Sequence, residues 1–325
     1  MSESKYSNKI ILSFSCNYFA NYLKNYLDAQ FIEFKKNHAG IYLQENVIDL
    51  NLIKNKNILL IGFYNPRLWN NEGHYKSIIE NAKSTIIYFV GFDIEQLINP
   101  NINNRAIKNK LEKNNLKKFF ESNSNKINFI SENTYQADIM KKEYDLDVEI
   151  VPMPIKNMNL LNNSINFPTD NLHVSIYAPP NRKFYNFDII MEVVIKSPQY
   201  KFYIYSNGGF KKKENDIFPS NVTLYEKETP MEEIYKISNC GIRITNNDGE
   251  PQTGIELLML GKYFIFNHKM QFCNYVEKNR DIVKNIIIEL GKIKDNLVFN
   301  NKAHELYKVR NNPINFSKKI NSLFT

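Results

Sequence analysis

Between Asn246 and Ile265 the chain reads Asn246-Asn247-Asp248-Gly249-Glu250-Pro251-Gln252-Thr253-Gly254-Ile255-Glu256-Leu257-Leu258-Met259-Leu260-Gly261-Lys262-Tyr263-Phe264-Ile265. A turn rich in Asp, Gly and Pro leads into a short apolar helix, Gly261 stops it, and an apolar strand follows. The first N–H groups of a helix have no partner within it. The backbone from Gly249 through Glu250, Pro251, Gln252, Thr253 and Gly254 can therefore form an anion site suited to a diphosphate. Glu256, one turn into the helix, can accept hydrogen bonds from both hydroxyls of a ribose. Asp248, eight positions earlier, can reach a sugar carried by that diphosphate. Both carboxylates also have plain readings. Thr253-Gly-Ile-Glu256 fits a capping box, and Asp248-Gly249 fits an ordinary turn. Taken alone, the two readings weigh equally.

Arg182 and Lys183 follow Pro179-Pro180 at the end of an apolar run. Two cations at a strand end suit a diphosphate, with solvated surface charge as the alternative. Asp145-Leu-Asp147 matches a metal-binding Asp-x-Asp pattern, but it falls between a helix and an incoming strand and reads as a solvated turn. The histidines at 38, 74, 173, 268 and 304 lack metal-ligand spacing, so no metal is expected. Cys16, Cys240 and Cys273 are odd in number and far apart, as reduced and mostly buried thiols would be. Over 105–118, Arg105, Lys108, Lys110, Lys113, Lys117 and Lys118 alternate with Ile107, Leu111 and Leu116, and Phe119 and Phe120 follow. This basic amphipathic helix could lie on an anionic membrane surface. Packing of its apolar face on a core is the favoured reading.

The formal charge of +8 favours an anionic partner, namely a nucleotide, a phospholipid surface or, less readily, nucleic acid. Lysine is a common surface filler, so charge alone does not choose among them. No apolar run is long enough to span a bilayer. The polar start MSESKYSNK carries no signal-peptide pattern. A cytoplasmic protein is expected, at most peripheral at the inner membrane face. Short apolar runs alternate with segments of helical period, the pattern of a parallel sheet covered by helices. Strands are expected over 9–14, 57–62, 85–90, 127–131 and 148–151. Helices are expected over 20–36, 75–81, 105–120 and 135–143. An Asn-rich stretch over 154–171 reads as a linker. The pattern then restarts, with strands over 173–177, 201–206, 222–225, 241–245 and 263–267. Its helices fall over 188–196, 231–238, 253–260 and from 281 onward. The expected architecture is α/β, with two Rossmann-like, doubly wound lobes facing across a cleft. Residues 1–160 would form one and 161–325 the other, with the final helix free to return to the first.

The segment from Asp248 to Glu256 resembles the carboxylate-x7-carboxylate signature of the family 4-like (group 1) glycosyltransferases of GT-B fold, with Asp248 in place of its first Glu. Gly241-Ile-Arg-Ile-Thr245 resembles the strand that enters that loop. Phe129-Ile-Ser131-Glu132 and Val148-Glu-Ile-Val-Pro152-Met-Pro154-Ile155 resemble the end of the family's first domain. Asn221-Val-Thr-Leu-Tyr225 with Thr229-Pro230-Met-Glu-Glu-Ile-Tyr235 resembles its nucleotide-contacting strand and loop. The resemblance covers the last two-thirds of the chain. It implies a glycosyltransferase with a nucleotide-sugar co-substrate, UDP- or GDP-linked, and no further cofactor. The reaction it implies is retaining and metal-independent, with an acceptor (a glycan, a lipid-linked glycan or another molecule) on the first lobe. Arg182 fits the family's phosphate-binding Arg. The Lys expected five positions later is Phe187, which leaves Lys183 as its substitute. Ser206-Asn207-Gly208-Gly209 resembles the turn near the nucleobase, so Ser206 and Gly208 join the donor set. Ser13-Phe-Ser-Cys16-Asn17 stands where many relatives have glycines, so the acceptor side departs from the pattern. Three rivals stay open: a phage-type DNA-modifying glycosyltransferase, a nucleotide-sugar epimerase, and a catalytically silent GT-B binding module.

Overall fold

The strands of the first half are near-continuous apolar runs, as strands buried on both faces must be. The computed structural model describes residues 8–13, 17–33, 49–63, 74–91, 94, 110–156, 167–179, 183–206, 217–246 and 248–324. Two compact units divide the chain. One holds residues up to Lys156 together with the segment from Pro313, and the other holds Asn157–Asn312.

In the first unit the strands are β1 (Lys9–Ser13), β2 (Gln30–Glu33), β3 (Asn57–Ile61), β4 (Ser84–Phe89), β5 (Ile127–Ser131) and β6 (Glu149–Ile150). They pair in parallel in the order β2-β1-β3-β4-β5-β6. Helices α1 (Asn17–Leu27), α2 (Leu50–Ile53), α3 (His74–Asn81), α4 (Lys110–Ser122) and α5 (Thr134–Tyr144) lie between them. Alternation along the strands splits the core into two layers. Ile10, Leu12, Ile58, Leu60, Ile87 and Phe89 face α3, α4 and α5. Ile11, Leu59, Ile61, Ile86 and Tyr88 face α1 and the C-terminal helix.

The second unit contains β7 (His173–Tyr177), β8 (Lys201–Tyr205), β9 (Val222–Leu224), β10 (Cys240–Arg243), β11 (Tyr263–Phe266) and β12 (Asn274–Tyr275). Its helices are α6 (Phe187–Lys196), α7 (Met231–Ile237), α8 (Gln252–Met259), α9 (Ile282–Asp295) and α10 (Asn301–Arg310). The parallel order β9-β8-β7-β10-β11-β12 reverses between β7 and β10. In open sheets of this type, ligands bind outside the carboxyl ends of the strands at that reversal. The helix α11 (Pro313–Leu323) belongs to the first unit. Phe316 and Ile320 enter its core, and Ser317 Oγ donates to the Tyr26 carbonyl at 2.6 Å.

Several expectations change in detail. The helix expected over 20–36 ends at Leu27, and Gln30–Glu33 pairs with β1 instead. Asp28 adopts the left-handed conformation that closes the helix, after which Phe31 and Ile32 alternate along an edge strand. Part of the stretch expected as linker is anchored, because Asn239 Nδ2 donates to the carbonyls of Pro168 and Asn171, both at 2.8 Å. Of the basic helix, residues 105–109 lie outside the described residues. Within α4, Leu116, Phe119 and Phe120 pack into the core, as the favoured reading has it. Asp145 caps α5 in the left-handed conformation, and it and Asp147 pair with Lys141 on the surface. Among the described residues no helix is long and apolar enough to cross a membrane. Cys240 and Cys273 are free thiols, the first buried, whereas Cys16 lies outside the described residues.

Two glycines let α8 lie against the sheet. A Cβ on Gly241 of β10 would stand 2.3 Å from Leu257 Cδ1, and one on Gly254 would stand 2.4 Å from the Phe264 ring. Phe264 and Leu257 are each about 1% exposed, so neither can move aside cheaply. Gly254→Ala is therefore expected to lower stability by about 1–3 kcal/mol. Chemical denaturation checks this. The loss should shrink in a Phe264→Leu background, because the contact belongs to that pair.

Candidate functional site

The residues that could do chemistry gather at the carboxyl edge of the second sheet, around the β7–β10 reversal. Gln252 opens α8 with Pro251 as its N-cap, and no side chain caps this end. Thr253 thus sits inside the first turn rather than at the cap, and the capping box that its spacing to Glu256 allows does not form. Glu256 is nine-tenths buried and accepts a hydrogen bond from the Tyr235 hydroxyl of α7 at 2.5 Å. A buried carboxylate placed this way is oriented by its neighbours before any ligand arrives.

Asp248 also has a protein partner. Its Oδ2 lies 2.6 Å from Nε of Arg243, the last residue of β10, and its Oδ1 accepts from the Gly249 N–H at 3.1 Å. Both side chains of the ion pair are only 12–13% exposed. The guanidinium lies 5.0 Å from the Tyr185 ring centroid and 5.7 Å from that of Tyr177. Burial alone would disfavour its charge, but Asp248, together with the Tyr185 and Tyr205 hydroxyls, outweighs that and holds the pKa above its ordinary value. Tyr205, fully buried at the end of β8, has its hydroxyl pKa pushed up, chiefly by burial; Arg243 opposes the rise and Glu256 adds to it. One tyrosine therefore lies near both the Arg243 and the Glu256 charges.

The loop after β7 closes over this edge. Phe184 accepts from the Asn246 N–H at 3.2 Å, and Asn186 Nδ2 donates to the Ile244 carbonyl at 3.2 Å. Asn267, after β11, bridges the N–H and carbonyl of Thr245, both at 2.8 Å. Lys183 begins a single 3-10 turn in the β7 loop, Lys183–Tyr185, and its side chain lies outside the description. Arg182 and Gly208 lie outside the described residues. Phe187 opens α6 and packs on the core. Ser206 directly follows β8 and is buried.

Glu250 plays a part that the sequence did not suggest. Its two oxygens take the fork of Arg310 from α10 at 2.6 and 2.8 Å, an ion pair that fastens the loop to that helix. Gly249 and Pro251 are buried within the loop. The Gln252 side chain has both amide atoms sealed and without a hydrogen-bond partner, and the buried Thr245 hydroxyl is likewise unmatched. Such groups cost about 1–3 kcal/mol each; Thr245 lies just after β10 and Gln252 opens α8. Among the described residues no group of three or more His, Cys, Asp or Glu could hold a metal ion.

Spacing did not reveal Arg243, Tyr235 or Arg310. One signal was present: Arg243 is a lone charge in an otherwise apolar strand, where a charge must be paired or functional.

No family model matches the chain, and no curated protein matches it significantly. Solved structures do match it. Anabaena HepE, crystallised with UDP and glucose, aligns with a TM-score of 0.63 at 9% identity, over 97% of this chain and 98% of that one. Sucrose-phosphate synthase from Thermosynechococcus elongatus gives 0.62 at 9% identity, with 97% and 98% covered. TarM gives 0.59 at 17% identity over 85% of this chain, which spans 56% of TarM's length. Together they establish the fold: both units are doubly wound α/β, and the chain resembles the GT-B glycosyltransferases.

Lys262, just before β11, is fully buried and donates to the Tyr235 and Ser238 carbonyls at the carboxyl end of α7. Burial pushes its pKa down from 10.5 to about 7, while the two carbonyls favour the ammonium. Between those two values the unfolded chain binds a proton that the folded chain does not. Stability therefore gains as pH rises through that window, and the gain is absent once pH falls below the folded pKa. Relative to Lys262→Met, the wild type should gain on the order of a few kcal/mol from pH 7 to pH 10. Urea titrations across that range check the sign.

Proposed function

We propose that the protein is a glycosyltransferase that moves a sugar from a nucleoside-diphosphate sugar, UDP- or GDP-linked, to an acceptor. The observation that carries this reading is the pre-oriented Glu256 one turn inside an uncapped helix start, at the strand reversal of the second sheet. A helix N-terminus there suits a diphosphate, and Glu256 suits a ribose diol. The unmatched amide of Gln252 supports a ligand at this junction, because a bound partner can recover the cost of a sealed polar group. Two of the matching structures, those of HepE and of the pneumococcal O-GlcNAc transferase GtfA, hold UDP with glucose or GlcNAc.

In this reading Arg182, Lys183 and the start of α8 stabilise the leaving diphosphate as charge develops. The backbone from Gly249 to Gln252, held in place by Asp248, orients the sugar, and Ser206 and Gly208 lie on the nucleobase side. The leaving phosphate takes the acceptor proton, so no separate base is required. The transfer is retaining and needs no metal, and the first unit supplies the acceptor site.

A thermal-shift screen of UDP-glucose, UDP-GlcNAc and GDP-mannose, paired with a donor-hydrolysis assay, tests the proposal. At least one donor should raise the Tm and be slowly hydrolysed, with or without EDTA. Binding without hydrolysis would indicate a silent binding module. Salt-sensitive capture of duplex DNA would instead favour the DNA-modifying class.

Glu256→Gln should weaken binding of the selected donor by about 1–3 kcal/mol in calorimetry, because a carboxamide accepts fewer hydrogen bonds from a diol. Arg182→Ala should lower turnover by about 2–4 kcal/mol in barrier while leaving stability close to the wild type. Unchanged affinity in the first variant and unchanged turnover in the second would overturn these assignments.

A further inference from the structure

Arg243 has more hydrogen-bonding capacity than the fold uses. A guanidinium carries five N–H donors in a rigid fork. Here Nε is committed to Asp248 at 2.6 Å, and the rings of Tyr185 and Tyr177, themselves 5.3 Å apart, lie 5.0 and 5.7 Å from the guanidinium carbon. Among the described residues neither terminal nitrogen has a hydrogen-bond partner, and, unlike the amide of Gln252, neither is sealed from solvent. The side chain as a whole is only 12% exposed. A charged fork that is mostly buried, paired through Nε and uncommitted at its terminal nitrogens can take a planar anionic partner.

Its position states which anion. Arg243 ends β10 beside the strand reversal, and the loop that leaves it runs through Asp248 into the start of α8. The loop after β7 is hydrogen-bonded to the same strand end. A lone carboxylate at residue 248 would repel a diphosphate held at that helix start. Paired with Arg243, it repels no longer, and it fixes the orientation of the guanidinium.

We propose that the terminal fork of Arg243 binds the phosphate oxygens of the donor diphosphate, and that Asp248 acts through Arg243 as its positioning residue. This rests on the nucleotide-sugar reading above and adds a cation that the loop signature does not contain.

Calorimetry of the full chain with UDP and with UMP, at one ionic strength, tests it; GDP and GMP replace them if the donor screen selects guanosine. Arg243→Gln should weaken UDP by about tenfold or more and UMP by less, because the fork acts on the diphosphate. Arg243→Lys should fall between, since it keeps the charge and loses the fork. If Arg243→Gln does not fold, the same ratio is read from Arg243→Lys. A purely structural role for Arg243 predicts equal losses for UDP and UMP, and that result overturns the proposal, as does unchanged UDP affinity. A wild type that binds neither UDP nor GDP overturns the nucleotide-sugar reading and this inference together. A wild type that binds UDP while the variants match it overturns this inference alone.

Discussion

The site depends on how closely α8 approaches the second sheet. A helix normally stands off a sheet by the thickness of its side chains. Here Gly241 removes a side chain from β10 and Gly254 removes one from the helix, and Leu257 and Phe264 fill the space. Because the interior is close-packed, that contact fixes the helix to within a fraction of an ångström. The start of α8 and the carboxylate of Glu256 are thereby held at the strand edge, where backbone dipoles and a charge can meet an anionic ligand. The glycines of the loop–helix segment do not all serve the ligand directly. Gly254 is first a packing requirement, and its effect on chemistry passes through Phe264.

Around that contact the fold places charges where burial would ordinarily forbid them and matches each from a different element. Glu256 is met by Tyr235 of α7, Asp248 by Arg243 of β10, and Glu250 by Arg310 of α10. Lys262, just before β11, caps the far end of α7 through the Tyr235 and Ser238 carbonyls. Thus one helix is gripped at its carboxyl end by a lysine while a tyrosine on it orients a carboxylate. Partnered buried charges add little net stability, yet removing one partner is costly. The arrangement defines one geometry for the loop between Arg243 and Glu256. That is what binding a charged ligand without large rearrangement requires.

Much of the architecture was legible in the sequence because parallel strands buried on both faces leave continuous apolar runs. β3 and β4 are such runs, and so is β11 of the second unit. The restart of the pattern after the Asn-rich stretch likewise pointed to a second doubly wound sheet. The edge strand β2 was not legible. Gln30–Glu33 is short, and its apolar pair fits a helix as well as a strand, so only pairing with β1 decides. The left-handed Asp28 that separates α1 from β2 is a local event with no strong sequence signature.

The candidate site divides along the same line. Sequence alone determined the carboxylate spacing from Asp248 to Glu256, the turn between them, the short helix and its glycine stop, because these are local and their periods and turn chemistry are written in adjacent residues. Only the tertiary structure decided what each charged side chain touches. Thr253 forms no capping box because the helix begins at Gln252, and Glu256 turns instead to a tyrosine 21 positions away. Glu250 goes to an arginine 60 positions away, and Arg243 finds its rings at Tyr177 and Tyr185 across the strand reversal. Hydrogen bonds and ion pairs act over about 3 Å, a distance that chain separation does not encode until parallel strands have brought their ends to one edge.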